Sequence, residues 1–279
     1  MDKYDLIPEQ LIYEGTIKET QLFAPLPASE KLILTTHSQT YWGKLKNQGL
    51  TPKEIRKTGF PYSPDLVQRE REIMQGSVDC ALYALQYGVA MNVAGGTHHA
   101  YKDWGEGFCL LNDFAIAANY LLENQHSKKI LIIDLDVHQG NGTAAIFQDE
   151  PNVFTFSMHC HANYPLVKEK SDLDIALPLG TNDERYLALL KENLPFVMDS
   201  FAPDFVFYLS GVDILHTDKL GKLACTIKGA KERDAYVFTL CRKNHLPVAV
   251  AMGGGYSVQI KDIVEAHCNT FRLAQEIWF

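Results

Sequence analysis

A chain of 279 residues, 46% hydrophobic and 22% charged, has room for one large α/β domain and the composition of an ordinary folded protein, which excludes intrinsic disorder. Its formal charge of −8, from 34 acidic and 26 basic residues, weighs against direct binding of nucleic-acid phosphates and agrees with cationic molecules steered by a negative field. The six cysteines (Cys80, Cys109, Cys160, Cys225, Cys241, Cys268) form no CxxC pair, no secretory signal opens the chain, and no apolar run approaches the ~18 residues that span a bilayer. A reduced, soluble, cytoplasmic enzyme with no membrane partner is the expectation, nuclear if the source is eukaryotic.

In chain order, short apolar and β-branched runs predict strands at Lys31–His37, Val89–Gly95, Lys129–Asp136, Val153–His159, Phe205–Gly211 and Pro247–Gly253. Helical periodicity marks stretches such as Asp113–Glu123, Glu184–Met198 and Lys228–Arg242. The segments Phe23–Ser29 and Thr58–Pro64 read as surface loops, and no repeat or linker divides residues 1–279. Strand–helix–strand units of this length predict one α/β domain with a mostly parallel sheet covered on both faces. In such a sheet ligands bind beyond the carboxyl ends of the strands, so a site belongs there.

The run Ile130–Gly142, ILIIDLDVHQGNG, carries Asp134, Asp136 and His138 two residues apart, so in an extended chain all three point the same way. Two carboxylates and an imidazole together without a counter-charge are costly, and a divalent cation resolves the conflict. A lone Asp-x-His reads equally well as turn capping. Here the buried strand before it and the Gly-x-Asn-Gly after it favour a metal. Asp213, directly after the run DFVFYLSG, supplies a third ligand and leaves a fourth position open, the arrangement of catalytic zinc. Two other strand ends carry reactive groups: Thr97-His98-His99 after VAMNVAGG, and Tyr256 after PVAVAMGGG. A glycine-rich turn at a sheet edge can present a phenol to a substrate oxygen.

The order HHA…GFCLLND, DLDVHQGNG, SGVD…DKLG and GGGY, from about Thr35 to Tyr256, resembles the histone deacetylase family. The forms HQGNG and GGTHHA resemble its class IV branch and bacterial relatives more than class I. The resemblance implies the arginase/deacetylase α/β fold with a parallel sheet of about eight strands. It implies zinc ligands Asp136, His138 and Asp213, with Fe(II) as a substitute, and tandem His98 and His99 beside a metal-activated water. Asp134 orients His98, Asn141 faces His99, and Tyr256 is the catalytic tyrosine. Gly107, Phe108, Leu220 and Gly254 line a narrow acyl-lysine tunnel, with Tyr164 a candidate for the second aromatic wall. It further implies a structural potassium or sodium ion held by Asp134, Asp136, His138, Ser157 and Met158, and a second near Phe147 and Val153. Asn141 stands where class I has an aspartate, so His99 is expected to be less basic. No acidic residue is placed at the rim.

The implied activity is hydrolysis of the amide of an acylated lysine in a peptide or protein, with acetyl or longer acyl groups. The rival readings are an acetylpolyamine or other small-amine amidohydrolase of the same fold, an arginase-like enzyme with two manganese ions, and an acyl-lysine-binding scaffold without turnover. Oligomeric state is not fixed by these residues.

Overall fold

The structure, a computed structural model, describes residues 2–279. Its centre is a six-stranded sheet in the order β1-β6-β5-β2-β3-β4, with every neighbouring pair parallel. The strands are β1 Val89–Asn92, β2 Ile130–Asp134, β3 Val153–Cys160, β4 Leu173–Leu177, β5 Phe205–Leu209 and β6 Val248–Ala251. Among the described residues ten α-helices surround it: α1 Lys3–Tyr13, α2 Glu30–Ile33, α3 Gln39–Lys46, α4 Pro52–Thr58, α5 Pro64–Tyr87, α6 Asp113–Glu123, α7 Asn141–Phe147, α8 Asp183–Phe201, α9 Ile227–Lys243 and α10 Ile260–Trp278.

Residues alternate faces along a strand, and here both faces are apolar. Ile130, Ile132, Phe205, Phe207, Ala249 and Ala251 pack with helices α2 to α7, where Phe207 lies between Phe114 and Phe205 at centroid distances of 4.9 Å each. Leu131, Ile133, Val206, Tyr208, Val248 and Val250 pack with α8, α9 and α10 on the other face. Helix α1 lies against α10 through Ile7, Leu11, Cys268 and Phe271. Among the described residues no helix is long and apolar enough to cross a membrane.

Two expectations are corrected. The sheet has six strands, not about eight. The segment Lys31–His37 is not a strand: Glu30–Ile33 forms one turn of helix, and the Ser29 hydroxyl caps it by accepting from the Leu32 amide at 3.1 Å. A three-residue apolar run, Leu32–Leu34, satisfies either period, and the cap with two adjacent buried side chains, Leu32 and Ile33, decides for helix. Edge strand β4, absent from the candidates above, pairs Phe156–Cys160 with Leu173–Leu177. Its outer face is largely open, so only Leu177 is fully buried and the apolar signal is short.

Candidate active site at the carboxyl edge of the sheet

The chain leaves β1, β2, β5 and β6 at the same edge, and each exit delivers part of one cluster. After β2 come Asp136 and His138, and after β5 comes Asp213. Ligand atoms of these three lie within 4.8 Å of one another, the one such group of three His, Cys, Asp or Glu among the described residues. His138 Nδ1 is 3.0 Å from Asp136 Oδ1 and 3.2 Å from Asp213 Oδ2. The backbone holds the carboxylates in place: the Val137 amide donates to Asp213 Oδ1 (2.9 Å), and the Gly254 amide donates to Asp136 Oδ2 (2.8 Å). Gly254 must lack a side chain, because a Cβ there would sit 2.7 Å from Asp213 Cγ and 2.8 Å from Asp136 Oδ2.

Burial, then the neighbouring Asp136 charge, pushes the Asp213 carboxyl up to about 7. Burial opposes the charge on His138, yet its bonds to the two aspartates raise it to about 10. Among the described residues the ion-pair partners of Asp136 and Asp213 are imidazoles alone, with no Lys or Arg at ion-pair distance. Two buried carboxylates and an imidazole converging without a permanent cation are a donor set that fits one divalent metal.

The tandem histidines follow β1. Asp113, at the start of α6, accepts from the Gly96 amide (3.0 Å), the Thr97 amide (2.8 Å) and the Thr97 hydroxyl (2.9 Å), fixing the loop that carries them. Behind them stand two different partners. His98 Nδ1 lies 2.7 Å from Asp134 Oδ2, and His99 Nδ1 lies 2.6 Å from Asn141 Oδ1. Burial lowers both imidazoles, but the Asp134 carboxylate overrides it and raises His98 above its ordinary value. His99 has no such carboxylate in contact, and burial with the charges of His98 and His138 holds it well below the ordinary range.

Tyr256 follows β6, on a turn held by its own amide donating to Asp218 Oδ2 at 2.6 Å. Burial raises its phenol above the usual range, so the hydroxyl stays protonated and able to donate. Opposite lie Gly107 and Phe108, both at positive φ (57° and 63°). Phe108 is held there because its amide donates to the Thr58 carbonyl (2.8 Å) and the Gly107 amide to the Lys57 carbonyl (3.2 Å). The Phe108 ring lies 6.0 Å from Tyr256 and 5.5 Å from Phe60. Tyr164 stands edge-on to His99 at 5.0 Å. These groups line one cavity of about 620 Å³ together with His98, His99, Asp136, His138, Asp213, Leu220 and Gly254. Asp134 and Asn141 sit behind the histidines and do not line it.

The other residues named in advance lie elsewhere. Ser157 pairs in register with Asp134 across β3 and β2, and its hydroxyl bonds His159 Nδ1 at 3.0 Å. Met158 belongs to the core under α8 and α9, while Phe147 and Val153 belong to the opposite core.

Several contributors escaped the sequence reading. Lys3, 2% exposed, donates to the Gly253 carbonyl at 3.0 Å, tying α1 to the glycine-rich turn. Arg233 is fully buried and donates to the carbonyls of Gly211 (2.6 Å), Ser210 (3.2 Å) and Leu135 (3.2 Å), clasping the exits of β5 and β2. Glu106 receives the Lys57 ammonium at 2.5 Å, the Tyr164 hydroxyl at 2.5 Å and the Asn141 amide at 2.9 Å. Asp113 and Asp218 had a visible signal, as the last letter of GFCLLND and the first of DKLG. The others act across long stretches of chain that no local pattern connects.

Residues 1–271 match the family described as "Histone deacetylase domain". The chain is 42% identical over 278 residues to an uncharacterized protein of Picosynechococcus sp., covering 100% of this chain and 93% of that one. It is 30% identical to "Histone deacetylase 2" of Arabidopsis thaliana, covering 91% of this chain and 68% of that one. Against "Histone deacetylase 1" of Homo sapiens the identity is 30%, over 95% of this chain and 57% of the human one, so the chain spans little more than half of that relative. Among solved structures, an HDAC homolog complexed with SAHA superposes with a TM-score of 0.83 at 24% identity, covering 98% of this chain and 77% of that one. The HDA15 HD domain does so with a TM-score of 0.80 at 22% identity, over 97% and 82%.

Proposed function

Because the chain belongs to the histone deacetylase family, we propose that it is a zinc-dependent hydrolase that removes acetyl or longer acyl groups from lysine side chains. The observation that carries the reading is the convergence in one cavity of Asp136, His138 and Asp213 with His98, His99 and Tyr256. A zinc ion held by Asp136, His138 and Asp213 would acidify a water and polarise the acyl carbonyl. Fe(II) accepts the same donors, and metal analysis of the purified protein decides between them.

The chain's own residues supply the rest. His99 Nε2 takes the proton of the attacking water and returns it to the leaving amine, while the His98–Asp134 pair holds positive charge next to the reacting centre. The Tyr256 hydroxyl donates to the oxyanion that develops on the acyl oxygen. Phe108, Tyr164 and Leu220 flank the alkyl part of the lysine and exclude water, and the half-exposed Leu220 marks the rim. The same reading includes a structural potassium or sodium ion, which Asp134, Asp136, His138, Ser157 and Met158 would hold, largely through carbonyls.

The cavity leaves room for longer acyl groups as a second substrate class. At about 620 Å³, lined also by Tyr4, Leu66 and Ile73, it is larger than an acetyl group requires. The deciding experiment is turnover of acyl-lysine peptides from acetyl to myristoyl, beside acetylputrescine and acetylspermidine, by protein with measured metal content. Hydrolysis of a lysine peptide with one zinc per chain is the expected result. Turnover confined to the polyamines would assign the small-amine reading, and two manganese ions per chain would assign the arginase-like one. Metal-loaded protein inert toward every substrate would refute a deacylase.

A further inference from the structure

An aspartate behind His99 could face it with either oxygen, but Asn141 cannot. Its amide has an accepting end and a donating end, and only the oxygen can receive a hydrogen from an imidazole. The flanking groups fix which end turns to the histidine. Asn141 Nδ2 lies 2.9 Å from Glu106 Oε1 and 3.0 Å from the Tyr101 hydroxyl oxygen. An ionised carboxylate only accepts. The Tyr101 hydroxyl donates to Glu169 Oε1 at 2.9 Å, which leaves its lone pairs to accept as well. Both neighbours therefore demand the NH2 end, and Oδ1 is directed at His99 Nδ1, 2.6 Å away.

We propose that Glu106 is a positioning residue that acts through Asn141 to hold neutral His99 in the Nδ1–H tautomer, leaving the lone pair on Nε2. The proposal rests on the reading of His99 as the proton acceptor, and it assigns the carboxylate of that relay to a residue 35 positions away from Asn141 in sequence. Four donors surround Glu106: the Lys57 ammonium, the Tyr164 hydroxyl, the Trp104 indole and the Asn141 amide. Burial alone would raise its carboxyl, but these donors, Lys57 foremost, hold it below the ordinary carboxylate range, so it stays an acceptor. Lys57 is itself steadied over the Trp104 ring, 4.7 Å from its centroid. A glutamate in WGEGF, a lysine at the end of α4 and a tyrosine of the cavity wall thus fix one amide.

The test reads the tautomer directly and separately from turnover. In zinc-loaded, 15N-labelled protein, long-range nitrogen–proton spectra of the His99 side chain should show a single Nδ1–H form. Glu106→Ala should give a tautomer mixture and lower kcat by about 10- to 100-fold, as loss of an outer hydrogen-bond partner commonly does, with KM changed less than about 3-fold. Tyr164→Phe, which removes one of the other three bonds to Glu106, should leave the tautomer unchanged. Asn141→Asp alone sets two carboxylates against each other and should lower kcat. Combined with Glu106→Gln it exchanges amide and acid along the relay, and kcat should rise above that of the Asn141→Asp single variant. That rescue also guards against a Glu106→Ala protein that fails to fold. An unchanged single Nδ1–H form in Glu106→Ala, or an Asn141→Asp defect that Glu106→Gln does not relieve, would overturn the assignment. Should the parent hydrolyse none of the panel, the deacylase reading fails on its own, and the spectra still decide whether Glu106 sets the tautomer.

Discussion

Glu70 is a carboxylate that folding places at a cost. It lies on α5, 1% exposed, at the wall of the cavity. One oxygen meets Arg69 Nη1 at 3.1 Å, and the other has no hydrogen-bond partner among the described residues. Burial pushes its pKa from 4.5 up to about 7, with Arg69 opposing. The folded chain therefore binds the Glu70 proton more tightly than the unfolded chain does. Stability from this group is fully present below about pH 4.5 and is lost as pH rises through about 7. At 1.36 kcal/mol per pH unit, the rise from 4.5 to about 7 corresponds to about 3 kcal/mol once both states are ionised. Glu70→Gln keeps the shape and a donor without the charge. It should stabilise the protein by up to about 3 kcal/mol at pH 8 and change little at pH 4.5. Urea unfolding of parent and variant at both pH values, in constant free zinc, measures the difference. A variant that is less stable than the parent at pH 8, or a difference that does not change with pH, would refute the reasoning.

Other expectations follow from the same contacts. Tyr256→Phe should keep its zinc and lose about 10²- to 10³-fold in kcat, as removal of an oxyanion donor does; near-parental turnover of an acyl-lysine peptide would remove the hydroxyl from the mechanism. Asp213→Ala should lose both metal and turnover, and elemental analysis showing one zinc per chain would exclude it as a ligand. Gly254→Ala drives a methyl into the Asp213 carboxylate, so metal content and activity should fall together while the circular dichroism spectrum is retained; an active, zinc-replete variant would show that the turn yields. Arg233→Ala leaves Asp234 buried without its 2.8 Å partner and should cost about 3–5 kcal/mol in chemical denaturation, against under 1 kcal/mol for a surface arginine.

The fold was legible where a strand is apolar on both faces. The runs at β2 and β5 serve two cores at once, so every residue carries the signal, and their ends locate Asp134 and Asp213. Legibility failed where a short run served one core. Lys31–His37 has five apolar or β-branched residues in a row, and a serine cap outweighed them. Asp136, His138, Asp213, His98, His99 and Tyr256 could be named because each stands within a few positions of a strand end, and Gly107, Phe108 and Leu220 through the resemblance alone. Asp134 and Asn141, which orient the two histidines, came from the resemblance, whereas Lys3, Arg233 and Glu106 had no signal, because their partners are distant in sequence. Arg233 reaches Leu135 across 98 positions, and Lys3 reaches Gly253 across 250. Such a clasp has no period and no spacing, and only the packed backbone brings its ends together.

A carboxylate behind one imidazole and an amide behind the other explain why two adjacent imidazoles need not share a role. Their ring centroids lie 4.1 Å apart and both are buried, so the surroundings common to the pair would shift them alike. The partners at Nδ1 differ instead. An ionised Asp134 stabilises a proton on His98, and that charge in turn disfavours a second proton on His99. An aspartate at position 141 would support a proton on both rings and blunt the contrast. Asn141 keeps the hydrogen bond that orients His99 while withholding the charge that would protonate it. Titratable neighbours driven apart in this way take opposite tasks, one holding charge and one ready to accept a proton. The carboxylate of Glu106 lies one amide further out, close enough to orient Asn141 and not itself in contact with the imidazole.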